Sequence, residues 1–181
     1  MRVLLLLFTS FLLLAAACTK ADDDTLTTPL DELPPATQVG ANTFGCLING
    51  EPWYNRGGSF SRPDLSASYT ITSIEPLFSI RAYARTAFLG EGNDRVEIRI
   101  KNPISNRFYS SIDSASISLR ITNETNFIYI TDINSPMQIR LTQFDPRSQI
   151  ASGTFEFTAI NDELMDTLVV TEGRFDVEFI R

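Results

Sequence analysis

The chain has 181 residues, 43% hydrophobic and 20% charged, with 15 Lys and Arg against 22 Asp and Glu. That composition suits one globular domain with appendages and excludes a wholly disordered or fibrous chain. A formal charge of −7 argues against nucleic acid as a partner, and the absence of histidine removes Ser-His-Asp, Cys-His and His-ligated metal chemistry.

Met1-Arg2 supplies a positive start, Val3 to Leu14 an apolar run, and Ala15-Ala16-Ala17 a small-residue stretch that ends at Cys18. This is the layout of a secretory signal; its roughly fifteen residues fall short of the ~20 that a membrane-spanning helix needs. A small-residue run ending in cysteine resembles the lipobox of bacterial lipoproteins, with Ala15 where that family prefers leucine. The resemblance implies that Cys18 carries the lipid (palmitate among its acyl chains) and anchors the chain to a membrane. Thr19 is not the aspartate that retains many such proteins at the inner membrane, so the outer membrane is expected. Lys20, Asp22, Asp23 and Asp24 resemble the surface-export signal of Bacteroidetes lipoproteins.

Residues 19–41 hold three of the nine prolines, five acids and no aromatic residue, the composition of an extended tether. The expected organisation is a signal over 1–17, a lipidated cysteine and tether over 18–41, and one domain over 42–181. The domain alone keeps 13 positive and 17 negative side chains, so much of the acidity belongs to the tether. With Cys18 acylated, Cys46 is a lone thiol, tolerable in an oxidising compartment when buried in the core.

Along the domain the pattern is β almost throughout. Thr43–Ile48 runs into Asn49-Gly50, a strong hairpin signal because both residues tolerate positive φ, and resumes through Trp53-Tyr54. Further strands are expected at Leu65–Thr72, Leu77–Arg85, Arg95–Lys101, Ser116–Thr122, Phe127–Thr131, Met137–Phe144, Ala151–Ala159 and Thr167–Phe179. From Arg95 to Lys101 even positions are apolar and odd ones charged, a strand with one wet face. No stretch shows a sustained helical period.

In the C-terminal third, Ala151, Gly153, Phe155, Phe157 and Ala159 share one parity. On the return, Leu168 and Val170 are apolar at even positions, but Phe175, Val177 and Phe179 at odd ones. Strand parity is strict, so the phase change needs an extra residue, and Gly173 sits where it occurs. The inferred hairpin sets Phe157 across from Val170 and Gly153 across from Phe175, small residues opposing large ones on one buried face. About ten short strands with a long bulged C-terminal hairpin imply an all-β fold, an antiparallel sandwich or a partly closed barrel-like sheet.

Asn42–Gly50 with Trp53, Ser152–Phe157 and Thr171–Val177 resemble a family of small Bacteroidetes-type surface lipoproteins whose domain has no assigned function. The resemblance implies an envelope location and a β-rich fold, and it supplies no catalytic residue.

Candidate sites are sparse. Trp53 and Tyr54 face opposite sides of their strand, and an outward one could stack on a ligand. Arg56-Gly57-Gly58-Ser59 could cradle an anion, and Asn161, Asp162, Glu163 and Asp166 could offer oxygens to Ca²⁺, although the spacing matches no EF-hand and no metal or cofactor is expected. Glu97, Glu156 and Glu178 are expected on solvent faces beside arginines; a glycosidase pair would need two carboxyls about 5–5.5 Å apart in a cleft. Asp24-Thr25-Leu26, Asp113-Ser114-Ala115 and Asp166-Thr167-Leu168 resemble a Bacteroidetes O-glycosylation tripeptide, and Asn123-Glu124-Thr125 fits an N-glycosylation sequon.

The expected function is a non-enzymatic, lipid-anchored envelope protein that binds an extracellular or periplasmic ligand. Two alternatives stay open. One is a lipocalin-like carrier of a small apolar ligand, its cavity lined by Phe155, Phe157, Phe175 and Phe179. The other is a carboxylate-based glycan hydrolase.

Overall fold

The structure, a computed structural model, describes residues 27–56, 63–86, 92–110, 115–122, 126–131 and 134–181. They form eleven strands: β1 (Thr43–Ile48), β2 (Glu51–Tyr54), β3 (Leu65–Ile71), β4 (Pro76–Thr86), β5 (Gly92–Lys101), β6 (Arg107–Tyr109), β7 (Ala115–Thr122), β8 (Asn126–Ile130), β9 (Met137–Asp145), β10 (Ile150–Asn161) and β11 (Asp166–Glu178). The fold is all-β, as the alternation of apolar and polar residues predicts. The sequence pattern missed only β6, whose three residues are too few to show a period.

The strands pair antiparallel in the order β2-β1-β11-β10-β8-β7-β5-β4-β3, with β9 and β6 branching from β10. The long strand β10 is where the sheet forks: β11 lies along one edge, while the other edge pairs with β9 from Ile150 to Phe157 and with β8 at Ile160. Two parallel bridges, Arg56 with Ala84 and Ser68 with Ile180, draw the ends of the path together. Tyr69 N–H donates to Ile180 O at 2.8 Å and Arg56 N–H to Tyr83 O at 3.0 Å. The result is a strongly curled, partly closed barrel-like sheet.

The inward faces supply the core. Phe44 meets Trp53 edge-on at 6.0 Å and Phe155 at 5.0 Å. A second ring cluster joins Tyr69, Phe78, Phe144 and Phe179, with Phe144 stacked on Phe179 at 5.2 Å. Phe155, Phe157, Phe175 and Phe179 are all buried, and each has another ring at 5.2–6.4 Å. These are spacings of packed aromatic side chains, so the four phenylalanines act as filling.

The turn at Asn49-Gly50 has φ of 51° and 87°, the left-handed pair that a two-residue hairpin requires. In the C-terminal hairpin Phe157 pairs with Val170 and Gly153 with Phe175, the register that parity dictates. Between Phe155 and Phe157 one residue of β10 faces two of β11, so the bulge falls at Thr171-Glu172. Glu172 takes the positive φ of 54°, and Gly173 serves a different need. A Cβ at Gly173 would lie 2.5 Å from the Phe155 ring, and one at Gly153 would lie 2.7 Å from Phe175 Cζ. Each glycine makes room for the ring across the strand.

The domain extends further toward the N-terminus than the tether composition predicts. Leu33 is buried, and Pro34 lies against Gly45 so closely that a Cβ there would come 2.7 Å from Pro34 Cδ. Residues 33–41 therefore form a strap on the outer face of the sheet. A tertiary partner holds them there, and local composition carries no trace of it.

Candidate functional site

That partner is Asp176. Its outward position on β11 places the carboxylate beneath the strap, where five donors converge. Thr37 Oγ1 donates to Oδ2 at 2.6 Å, as do the N–H groups of Val39 at 2.9 Å and Ala41 at 3.1 Å. Gly40 N–H donates to Oδ1 at 2.9 Å and Ser152 Oγ at 2.7 Å. Burial alone would raise this carboxyl; the hydrogen bonds from Thr37, Ser152, Val39 and Ala41 outweigh it and hold the group at about 2.

Beside the strap, a groove crosses the outer face of β9, β10 and β11. It consists of two adjoining depressions of about 210 and 400 Å³ that share Gln138 and Glu156. Strand register lays its polar groups in two rows. Arg140, Thr154 and Arg174 face one another across the three strands; in the next row Gln138 pairs with Glu156, which faces the bulge at Thr171-Glu172. The Arg140 guanidinium lies over the Phe108 ring at 5.3 Å. Arg174 Nε donates to Glu172 O at 3.2 Å, and its Nη2 sits 3.8 Å from Glu172 Oε2. Ala36 of the strap forms one wall. Further along, Pro136, Thr158, Val169 and Thr171 line the larger depression.

A second charged surface lies on the far side of β8, on β4, β5 and β7. The wet face anticipated for β5 is present, but Glu97 is not solvated: it is buried beneath arginines. Arg99 Nη2 approaches Glu97 Oε1 at 2.7 Å, Arg81 Nε the same oxygen at 3.2 Å, and Arg95 Nη2 the other oxygen at 3.6 Å. Burial raises this carboxyl, and the hydrogen bonds and charges of Arg99 and Arg81 more than reverse it, leaving it below the ordinary glutamate value. Arg120 stands directly across from Arg95. Its Nε is buried without an acceptor, and no carboxylate lies within 4.0 Å of it among the described residues.

Trp53 is core, 1% exposed, which removes it as a surface ligand contact. Tyr54 faces outward, half-buried, with the Arg56 guanidinium 5.1 Å from its ring centre. Cys46 is buried in the core and burial pushes its thiol far up. In the loop after β10 the oxygens are already engaged: Asn161 Oδ1 accepts from Leu164 N–H at 2.9 Å, and Asp166 Oδ2 from Tyr129 OH at 2.9 Å. Burial and this contact lift the Tyr129 phenol to about 12. Asp162 and Glu163 are exposed, and no group of three His, Cys, Asp or Glu gathers as a metal site would among the described residues. Glu156 lies in the groove, whereas Glu97 and Glu178 lie elsewhere, Glu178 beside Gly40 of the strap.

Cys18, Lys20, Asp22, Asp23, Asp24, Thr25, Gly57 to Ser59, Asp113-Ser114 and Asn123 to Thr125 lie outside the described residues. Sequence reasoning missed Gln138, Arg140, Glu172 and Arg174, and it missed Arg81, Arg95, Arg99 and Arg120 as a group. Their outward parity was readable, but which strands stand side by side was not. No protein-family model matches the chain, and neither a curated protein nor a solved structure matches it.

Proposed function

We propose that the chain is a non-enzymatic binding module held at the outer membrane, on the cell surface, by an acylated Cys18. Its ligand lies in the groove across β9, β10 and β11. The observation that carries this reading is the groove itself: two arginines, two glutamates, three threonines and a glutamine line an open trough on a well-packed sheet. A bulge aims one of them, since Glu172 holds its positive φ where the extra residue falls, and bulges re-aim side chains in this way. Opposite charges set in rows suit a polar ligand with several hydrogen-bonding groups, such as an oligosaccharide or an extended peptide.

The test has two parts. Radiolabelled palmitate should enter the wild-type protein and not the Cys18→Ser variant; equal labelling of both overturns the anchor. Oligosaccharides and short peptides that raise the melting temperature of the wild type should no longer do so with Arg140→Ala or Arg174→Ala. A shift that survives both substitutions moves the ligand to another surface.

A second reading rests on Glu156 and Glu172 sharing the groove, the arrangement a glycan hydrolase would use. Against it, the Glu172 side chain is 57% exposed and lies beside Arg174, whereas a general acid must be shielded to keep its proton. Reducing-sugar release that disappears in Glu156→Gln would establish the hydrolase.

A further inference from the structure

The face formed by β4, β5, β7 and β8 has an unbalanced charge. Among the described residues, Arg81, Arg95, Arg99 and Arg120 project from neighbouring strands, and Glu97 is the carboxylate that meets them. Arg95 and Arg120 are direct cross-strand partners, a like-charge arrangement that costs stability; Glu97 sits against Arg95 at 3.6 Å, and Arg120 has no carboxylate within 4.0 Å among the described residues. The side chains of Arg81 and Arg99 remain 48% and 52% exposed, so their remaining N–H groups face solvent. The apolar margin lies alongside: Ile128 stands across from Arg120 and Ile130 across from Ser118, and they are 43% and 51% exposed. All this lies on a chain whose formal charge is −7.

We propose that this face docks on a membrane surface bearing anionic phosphate headgroups. Guanidinium forks match phosphate oxygens in pairs, and cationic side chains beside exposed aliphatic ones are what an interfacial footprint requires. A hydrophilic polyanion would use the arginines and leave the isoleucines idle; a bilayer interface uses both. The inference rests on the lipid-anchor reading for its strength. From Cys18 to Leu33 the chain spans at most ~50 Å, so an anchored domain meets the surface at high effective concentration and a weak contact suffices.

The mature chain carrying Cys18→Ser, and so free of acyl groups, tests the contact by sedimentation with vesicles. It should bind vesicles containing phosphatidylglycerol, ignore pure phosphatidylcholine, and release as salt rises. Arg120→Gln should weaken binding about fivefold, in line with the usual contribution of one basic residue near an anionic surface. Ile128→Gln with Ile130→Gln should weaken it at every salt concentration, with melting temperatures confirming that each variant is folded. Equal binding to both vesicle types, indifference to Arg120→Gln, or retention on immobilised heparin without vesicle binding would overturn the proposal. Loss of palmitate incorporation with vesicle binding intact would remove the anchor alone; incorporation without vesicle binding would remove this inference alone.

Discussion

Two acidic side chains on the outer surface of the sheet are covered by very different means. Asp176, on β11, receives five neutral donors, three of them backbone N–H groups of the strap. Glu97, on β5, receives guanidinium groups from three arginines. Dipoles solve the first case and leave nothing over. Full charges solve the second and leave a cationic surplus at the surface. The first arrangement exists only when a particular chain segment is in place, which marks it as structural. The second can accept further anions, and that capacity gives the face its proposed role.

Substitution separates the two most sharply. Asp176→Ala leaves five donors facing a void and should cost about 3 kcal/mol in urea denaturation, with proteolysis of the strap appearing before the domain unfolds. Titration gives the next effect. Because the folded Asp176 carboxyl lies at about 2, below the ordinary value of 3.8, its contribution is complete above that ordinary value and fades as pH falls toward about 2. The difference amounts to about 2 kcal/mol, and Asp176→Asn should remove this part of the acid-induced loss. Glu97 is also depressed and contributes with the same sign, so some acid dependence should survive. The smallest effect is Glu97→Gln, about 1 kcal/mol at low ionic strength, because half-exposed arginines can turn to water. Salt should shrink that cost and leave the cost of Asp176→Ala unchanged, since dipolar contacts beneath a strap are screened far less than charges at the surface. An Asp176→Ala penalty that fell with salt would erase the distinction.

Much of the fold was legible because strand parity is unforgiving. The pairings of Phe157 with Val170 and Gly153 with Phe175 follow from which positions are apolar, and the phase change near Gly173 located the bulge to within two residues. Sequence could not assign the positive φ to Glu172, because glycine is the better candidate on conformational grounds. Gly173 is instead occupied in admitting the Phe155 ring. The strap escaped notice for a related reason. Its residues look like any proline-rich linker, and the group that fixes them lies more than 130 positions away. The same holds for both surfaces: Arg140 and Arg174 meet only through Thr154, and Arg81 reaches Glu97 only because β4 borders β5.

The placement of β1 between β2 and β11 has a consequence for the protein's birth. The first long strand cannot find its second neighbour until the last strand of the chain has been made, so an N-terminal portion ending before Asp166 holds an open edge at Phe44 and Ile48. Non-local pairing of this kind delays completion of a sheet.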